Sequence, residues 1–396
     1  MPTFTASPRR PLAIAATLAA VLWSSSALAG PREDFMAALE ASWKAVGATD
    51  IKFGAVSGTD SRFVIADMTV KMTIGDEAVT LTSGPTTLVD AKSAADQSYT
   101  VGELTGTDLV MTSADGKVSL AGFTVTNYGS PAPAALKEMY EKTKSVKARY
   151  DSITANGIAI VETDDGKTAS IESLQFKAGD WKDYLPRIGS GSIKGVTPPL
   201  DEAGRKELGA YGYNALVFDV DGSGKWDDVA GTIAVDRLDV NFRDMAALKL
   251  NFTVEGVTAA VYEEMSRLGE AADDAAKARQ MELLQNLSVR GAQVRLENNS
   301  IVQKVIDKQA KDAGMPSKDF VQTMTLTLPV MLASLKNKAF EKEIAVAVKT
   351  FLADPKALTI RLTPKAPVSF AQIVGSAMMA PNTLPGMLSA SVKAND

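Results

Sequence analysis

The sequence contains neither cysteine nor histidine, and these two absences exclude much of protein chemistry. Without cysteine the chain has no disulfide, no thiol nucleophile and no cysteine to which a lipid could be attached. Without histidine it lacks the usual general base at neutral pH and the commonest transition-metal ligand. Ser-His-Asp triads, Cys-His dyads, structural zinc sites and histidine-ligated haem are therefore excluded. Carboxylate pairs, Ser–Lys pairs and sites for oxygen-ligated cations stay possible.

Aromatic residues make up only 6% of the 396 residues, so we expect a core of aliphatic side chains and methionine. Hydrophobic residues account for 45% and charged residues for 22%, which are ordinary proportions for a folded globular protein. The formal net charge of −5 is small and the two signs are well mixed, which argues against nucleic acid as a partner. A chain of this length has room for one large or two moderate domains.

The first 29 residues have the three parts of a secretory signal peptide. Arg9 and Arg10 supply the positive charge, and an uncharged, largely apolar segment follows. The small residues after it end in Ala-Leu-Ala at 27–29, so we predict cleavage between Ala29 and Gly30. We therefore expect a periplasmic protein with no transmembrane anchor after cleavage. Sec export fits this segment best, and the arginine pair leaves the twin-arginine route open.

The apolar residues change their period along the chain, which predicts both strands and helices. From residue 51 to residue 126 many recur at every second position, as in Val70, Met72 and Ile74. This pattern predicts a meander of antiparallel strands with one buried face. Helical spacing predicts helices over residues 32–46, 133–150, 200–211, 259–286 and 338–353.

Helical patterns dominate the last hundred residues. Ser317 is predicted to cap a helix that contains Pro329, and this proline is expected to break or kink the helix. Residues 357–362 return to a strand pattern, and Ser369 is predicted to start a short helix that ends at Met379.

The sequence therefore predicts an α+β fold. We expect a signal peptide at 1–29 and a curved antiparallel β-sheet meander with helical inserts at 30–296. Residues 297–396 are expected to form a mostly helical C-terminal cap that packs on the sheet.

The sharpest candidate for a binding site is the sequence DVDGSGKWD, which begins at Asp219. Asp219, Asp221, Ser223 and Asp227 supply oxygen ligands at positions 1, 3, 5 and 9 of a calcium-loop pattern, with glycine at position 6. Position 12 is Ala230 where a bidentate glutamate belongs, and the flanks have strand patterns. The alternative interpretation is an ordinary hairpin turn at Gly-Ser-Gly. We therefore keep a weak calcium site as a candidate and expect no other cofactor.

Other glycine-rich and serine motifs do not support an enzymatic site. The sequence GSGK at 222–225 resembles part of a phosphate-binding loop, but Trp226 follows the lysine where Ser or Thr is required. The stretch 189–195 has the wrong spacing as well and is predicted to be a flexible linker. The Ser-x-x-Lys and Gly-x-Ser-x-Gly motifs are absent. We therefore expect that the protein is not an enzyme.

Two strand runs, AGTIAVDRLDV at 230–240 and LKLNFTVEG at 248–256, resemble the AsmA-like envelope proteins of Gram-negative bacteria. The resemblance covers residues 55–300 and implies a long curved sheet with an apolar inner face and a role in lipid handling or outer-membrane biogenesis. It includes no catalytic or binding motif, so it assigns no role to any residue. AsmA-like proteins often keep an N-terminal anchor, whereas cleavage is predicted here. Residues 351–396 resemble uncharacterised secreted proteins of alphaproteobacteria.

Three functions are compatible with these patterns. The leading hypothesis is a soluble periplasmic protein that binds or carries a lipid or other apolar ligand along the apolar face of the sheet. That face could equally be an ordinary core covered by helices. The second hypothesis is a structural or partner-binding cell-envelope protein without a small-molecule ligand. The third is a carboxylate-based enzyme such as a glycosidase, which needs two acids about 5–10 Å apart in a cleft.

Overall fold

The computed structural model of the protein describes residues 31–74, 77–143, 147–164, 166–269 and 274–396. The predicted signal peptide, including the predicted cleavage site between Ala29 and Gly30, lies outside these residues. Among the helices that are described, none is both long enough and apolar enough to cross a membrane.

The chain divides into two compact units. The first unit comprises the chain up to Gly189 together with Ile193–Pro199. The second unit comprises Ser190–Ser192 and Leu200–Asp396. The sequence patterns placed a boundary at 296/297, but the sheet continues across this position. It does so because Ser288–Asn298 pairs with Ala357–Leu362, a strand from the predicted cap region.

The helices of the first unit are α1 (Pro31–Ala45) and α2 (Pro133–Thr143). Its strands are β1 (Ala48–Phe53), β2 (Val56–Thr59), β3 (Arg62–Ile65), β4 (Met68–Ile74), β5 (Glu77–Ser83), β6 (Thr86–Val89), β7 (Lys92–Ser93), β8 (Tyr99–Thr112), β9 (Gly116–Ser130), β10 (Ser152–Glu162) and β11 (Thr168–Lys182). The division between the units falls within β12 (Leu185–Val196).

The pairing in the first unit is antiparallel. One edge of β8 pairs successively with β7, β6 and β5, and its other edge pairs with β9. From β9 the sheet continues through β10 to β11. On the other side, β4 and β1 follow β5, while β3 and β2 follow β6. Antiparallel strands are confirmed in the region predicted as a meander, residues 51–126, and β4–β5 and β8–β9 pair as consecutive strands. The region is not a simple meander, because β1 pairs with β4 and β3 with β6.

The core of the first unit forms where α1 packs on this sheet. The helix predicted at 32–46 is confirmed, and its apolar stripe is buried, including Phe35 and Leu39. The ring of Phe35 lies edge-on to Phe63 and Tyr99, with centroid distances of 5.9 and 5.2 Å. Burying such aromatic and aliphatic side chains is the main source of stability for a unit of this size.

The predicted helix at 133–150 is shorter in the structure. Helix α2 ends at Thr143, and the main chain of Arg149 pairs with that of Gly129 in an antiparallel bridge. The spacing of side chains predicts a helix up to residue 150, but the main chain of Arg149 instead extends the hydrogen bonding of the sheet.

In the second unit the helices are α3 (Glu202–Ala210), α4 (Ala259–Gly269), α5 (Asp274–Asn286), α6 (Ile301–Asp312), α7 (Ser317–Leu332), α8 (Lys338–Ala353), α9 (Phe370–Met379) and α10 (Leu384–Met387). The strands are β13 (Phe218–Asp227), β14 (Thr232–Phe242), β15 (Ala246–Glu255), β16 (Ser288–Asn298), β17 (Ala357–Leu362), β18 (Val368–Ser369) and β19 (Ala390–Ala394). The helix predicted over 259–286 corresponds to α4 and α5, and residues 270–273 between them lie outside the described part of the chain.

The strands of the second unit also form an antiparallel sheet, in the order β13-β14-β15-β16-β17-β19, with β18 beside the start of β16. Helix α8 lies along the outer edge of β19, where the carboxylate Oε1 of Glu343 accepts a hydrogen bond from the backbone N–H of Val392 at 2.8 Å. This contact satisfies an edge group that could otherwise pair with another chain.

Several local predictions can be compared with this unit. The predicted helix at 338–353 and the strand at 357–362 are confirmed with the expected bounds. Pro329 does not end α7, which continues to Leu332. The linker predicted at 189–195 is wrong, because these residues belong to the extended strand β12. The fold class is confirmed as α+β, with a large antiparallel sheet that is not closed and helices between and after its strands.

Candidate ligand-binding face

The residues of the calcium-loop pattern lie along β13, and the structure does not assemble them as ligands. The carboxylate of Asp219 pairs with Arg243, with Oδ1 accepting from Nη2 at 2.9 Å. Asp227 closes the turn after the strand, because its Oδ1 accepts hydrogen bonds from the backbone N–H groups of Val229 at 3.1 Å and Ala230 at 2.8 Å. The described residues contain no group of three or more acidic side chains that could hold a metal ion.

The centre of this segment is part of a strand, so the hairpin turn predicted as the alternative does not form there. Asp221 lies opposite Asp239 of β14, and Ser223 lies opposite Arg237. The register shifts between Ser223 and Gly224, which marks a β-bulge. A Cβ atom on Gly224 would lie 2.7 Å from the carbonyl oxygen of Ala234, so glycine permits the close approach of the two strands. An extended strand cannot wrap around a calcium ion as a loop would.

The most prominent feature of the second unit is one apolar face of its sheet. Residues directly opposite each other in an antiparallel pair point to the same face. The register therefore builds three rows of four side chains across β14, β15, β16 and β17. They are Val240, Leu248, Leu296 and Leu358; Leu238, Leu250, Val294 and Ile360; and Val235, Phe252, Ala292 and Leu362. We call these twelve side chains the apolar face. With a strand spacing of about 4.8 Å, the six strands from β13 to β19 span about 24 Å.

A bulge in β14 keeps this face apolar. Ile233 and Val235 alternate with a period of two, but the next apolar residue is Leu238 and not residue 237. In a regular strand, Leu238 and Val240 would therefore point to the face opposite to that of Ile233 and Val235. The register of β14 against both neighbours compensates for the extra residue. Against β15 it shifts between Val235 and Leu238, which lie opposite Phe252 and Leu250. The sequence thus encodes a single apolar face through an interruption in its period.

None of the twelve side chains of the apolar face is buried. Val294 and Ile360, which lie in its middle row, are 37% and 41% exposed. By contrast, Phe63, Ile65 and Val70 on the strands of the first unit have no exposed surface. Contiguous apolar surface of this kind marks an interaction site in soluble proteins. The alternative that this face is an ordinary covered core does not fit the exposure of its central residues.

Helices border the apolar face at one end and along one edge. At one end Trp226 of β13 contacts Tyr262 of α4, with ring centroids 5.2 Å apart, and donates a hydrogen bond from Nε1 to the carbonyl oxygen of Val257 at 2.7 Å. Along the edge, α8 holds β19 through Glu343 and Val392. These contacts leave the middle of the face accessible.

The opposite face of the same strands carries charged side chains that pair with one another. Glu297 accepts from Lys249 at 2.7 Å and from Arg295 at 2.9 Å. Asp396 accepts from Arg295 at 2.9 Å and from Arg361 at 2.7 Å. The sheet is therefore amphipathic, with a charged, solvated face behind the apolar one.

These ion pairs shift the pKa values of the acidic groups. Hydrogen bonds from Arg361 and Thr359, with a further contribution from Arg295, lower the pKa of Asp396 to about 2. Lys249 and Arg295 lower the pKa of Glu297 below its ordinary value. Both carboxylates are thus held in the charged form that their cationic partners require.

The arrangement offers apolar contact without chemical groups. The twelve side chains of the apolar face are aliphatic or aromatic and therefore offer contact to an apolar chain or surface. Sequence periodicity predicted the one-sided strands, yet it did not identify Val294 and Ile360 as accessible. The pattern of apolar residues is the same whether a strand lies under helices or under solvent.

Comparison with known proteins adds a family without a described activity. A family model described as "Uncharacterized protein" matches residues 239–395, which include the strands β15 to β19. No curated protein matches the chain.

Proposed function

We propose that the second unit binds the apolar chain of a lipid or a similar ligand on the apolar face, and that the protein carries this ligand in the periplasm. The observation that carries the proposal is the exposure of Val294 and Ile360 at the centre of a continuous apolar surface. The predicted signal peptide supports the compartment, and the resemblance to AsmA-like proteins supports a role in lipid handling.

The physical basis of binding would be the removal of hydrocarbon from water on both partners. Each methylene group that becomes buried contributes about 0.8 kcal/mol. Immobilising a ligand costs at least several kcal/mol, so only a chain of roughly ten carbons or more would bind with measurable affinity. Because the apolar face has no polar atom in its side chains, it would recognise the length of the chain rather than the chemistry of a head group.

A titration with a long-chain fatty acid that carries a fluorescent dansyl group tests the proposal. We expect saturable binding to the purified protein, and displacement of the probe by long unlabelled fatty acids but not by short ones. Val294→Glu places a charge in the middle of the apolar face, and we expect it to weaken binding by at least about tenfold, since an unpaired charge in apolar surroundings costs several kcal/mol.

Gln293→Glu is the matched control for this variant. Gln293 is the next residue on β16 and points to the charged face, where its Oε1 accepts a hydrogen bond from Nε of Arg361 at 2.8 Å. Glutamate can accept the same bond, so we expect this variant to bind the probe normally. Equal weakening by the two substitutions would contradict binding on the apolar face.

Native mass spectrometry of the protein purified from its own periplasm, with lipid extraction of the same sample, is the complementary measurement. A lipid at stoichiometric amount would support the carrier role. A protein that purifies without lipid and takes up no probe would overturn it and favour a partner-binding envelope protein.

A further inference from the structure

A second set of exposed apolar side chains lies on the helices of the second unit. Its members are five aliphatic or methionine side chains on α7 and α9 that are between 71% and 89% exposed: Leu326, Val330, Met331, Met378 and Met379. We call these five side chains the helix-end patch. Neither α7 nor α9 has a buried residue. The five side chains of the helix-end patch are therefore exposed on helices without a fully buried residue, and exposed apolar surface of this kind marks an interaction site.

The C-terminal ends of these two helices are tied together. Asn337, which follows α7, donates a hydrogen bond from Nδ2 to the carbonyl oxygen of Asn382, which follows α9, at 2.9 Å. Met331 and Met379 precede these two asparagines by only a few residues. The bond therefore brings the exposed ends of both helices into one region of the surface.

The threonine hydroxyl groups of α7 are satisfied within the helix. The hydroxyl groups of Thr323 and Thr325 donate to the carbonyl oxygens of Asp319 and Val321, at 2.9 and 2.8 Å. Thr327 donates in the same way to the carbonyl oxygen of Met324 at 3.0 Å. A helix whose hydroxyl groups are bonded internally can leave water at little cost. The surface of α7 is thus suited to an apolar medium as well as to water.

The first charges after the C-terminal end of α7 are positive. Residues 320–335 and 366–392 contain no charged side chain, and Lys336 and Lys338 follow the end of α7 by four and six residues. Asp319, in the first turn of α7, is an exposed acid seven residues before Leu326. Glu341, the first acid after Lys338, is buried, and it accepts hydrogen bonds from Lys338 at 2.9 Å and from the backbone N–H of Asn337 at 3.1 Å. Apolar side chains next to lysines, without exposed acids between them, complement a surface of anionic lipid head groups over a hydrocarbon layer.

We propose that the helix-end patch docks on the surface of a bilayer that contains anionic phospholipid. The five apolar side chains enter the boundary between head groups and acyl chains, and Lys336 with its neighbouring lysines contacts the phosphates. This docking does not depend on the apolar face, and the two surfaces can be tested separately.

Flotation with lipid vesicles tests the proposal on the full chain. We expect binding to vesicles of phosphatidylglycerol and phosphatidylethanolamine, weaker binding to vesicles of phosphatidylcholine, and a decrease as salt is added. Met379→Glu should reduce binding to the anionic vesicles by at least about tenfold, because it removes an inserted side chain and adds a negative charge. Met281→Glu, at a methionine of α5 that is also exposed, is the matched control and should leave binding unchanged.

A second pair of variants tests the electrostatic part. Lys336→Glu should weaken binding to the anionic vesicles by about fivefold or more, since each lysine near such a membrane contributes measurably to its attraction. Lys318→Glu alters a lysine at the opposite end of α7 and should have no effect. All four positions are exposed, so folding is checked by circular dichroism and is expected to be intact.

Three outcomes would overturn the proposal. They are no binding of the unmodified protein to anionic vesicles, equal binding by Met379→Glu and the unmodified protein, and a concentration-dependent dimer that Met379→Glu abolishes. The last outcome would assign the patch to a second copy of the chain. Val294→Glu should bind vesicles normally, which separates failure of this proposal from failure of lipid binding on the apolar face.

Discussion

Val294 on β16 lies directly opposite Ile360 on β17, and both side chains are more than one-third exposed in the middle of an antiparallel sheet. An aliphatic pair at such a position normally belongs to a buried core. Here the opposite face of the same strands carries paired charges such as Lys249 and Glu297. Rotating the strands to bury Val294 and Ile360 would therefore not expose an uncharged face in their place. The sheet thus maintains an apolar surface on one side and a solvated surface on the other.

The first prediction concerns the stability of this arrangement and compares two isoleucines. Ile65 on β3 has no exposed surface, whereas Ile360 is 41% exposed. Truncation of a fully buried isoleucine costs about 2–5 kcal/mol of the free energy of unfolding, and truncation of an accessible one costs much less. We expect Ile65→Ala to lower this free energy by about 2–5 kcal/mol and Ile360→Ala by less than about 1 kcal/mol, as measured by urea unfolding.

The same comparison with ligand present sharpens the result. If the apolar face binds a long-chain fatty acid, the ligand should stabilise the unmodified protein and stabilise Ile360→Ala to a smaller extent. A loss for Ile360→Ala as large as that for Ile65→Ala, without ligand, would show that the face is covered in solution and would contradict the structure.

Local signals explain why some elements could be predicted with their bounds. Helix α8 begins after Asn337, whose side-chain oxygen accepts a hydrogen bond from the backbone N–H of Phe340 at 3.1 Å, and it ends before Asp354-Pro355. Helix α9 begins after Ser369, which forms a capping box with Gln372. Such caps involve neighbours in the sequence, so they can be recognised without the fold.

The elements that were missed depend on contacts between distant residues. The glycines of β13 predict a turn from local sequence, whereas Gly224 allows close contact with Ala234 of the next strand. Local spacing predicts a helix at Arg149, but the main chain of this residue pairs with that of Gly129. For the candidate site, the sequence predicted apolar strands but not their accessibility, because the pattern of β16 does not show whether another element covers Val294.

The second prediction concerns calcium. Asp219 already pairs with Arg243, and Asp227 accepts two backbone hydrogen bonds, so neither carboxylate is oriented as a ligand. We expect no change in Tm on addition of calcium up to about 10⁻³ M, a range in which even weak extracellular calcium modules are occupied. Differential scanning fluorimetry with calcium and with a chelator measures this. A stabilisation by calcium that Asp219→Asn removes would restore the calcium-loop interpretation.

The third prediction concerns acid stability and follows from the carboxylate of Asp396. Arg361 and Thr359, with Arg295, lower its pKa to about 2 in the folded protein, against an ordinary value of 3.8. A group with a lowered folded-state pKa stabilises the protein above its unfolded-state pKa, and this contribution is lost as the pH falls through the folded-state value. We therefore expect the Asp396 contribution to disappear between about pH 4 and pH 2.

The variants Asp396→Asn and Asp274→Asn test this assignment by urea unfolding at a series of pH values. Asp396→Asn should destabilise the protein at neutral pH and flatten the loss of stability below pH 4. Asp274 has a fully exposed side chain, so its replacement should leave the acid profile unchanged. An unchanged profile for Asp396→Asn would show that its ion pairs with Arg295 and Arg361 do not form in solution.

The fourth prediction concerns alkaline stability and involves Tyr99 in the core of the first unit. Burial raises the pKa of its phenol to about 12, whereas the pKa of a tyrosine in the unfolded chain is about 10. A raised folded-state pKa means that the stabilisation is complete below the unfolded-state value and is lost as the pH rises through the folded-state value. We expect the unit to lose roughly 2–3 kcal/mol of unfolding free energy between pH 10 and pH 12 through this group. Phenylalanine at position 99 cannot ionise, so Tyr99→Phe should show a shallower loss in urea unfolding monitored by tryptophan fluorescence, to which buried Trp43 contributes. Identical alkaline profiles for the two proteins would mean that the hydroxyl of Tyr99 reaches water in the folded state.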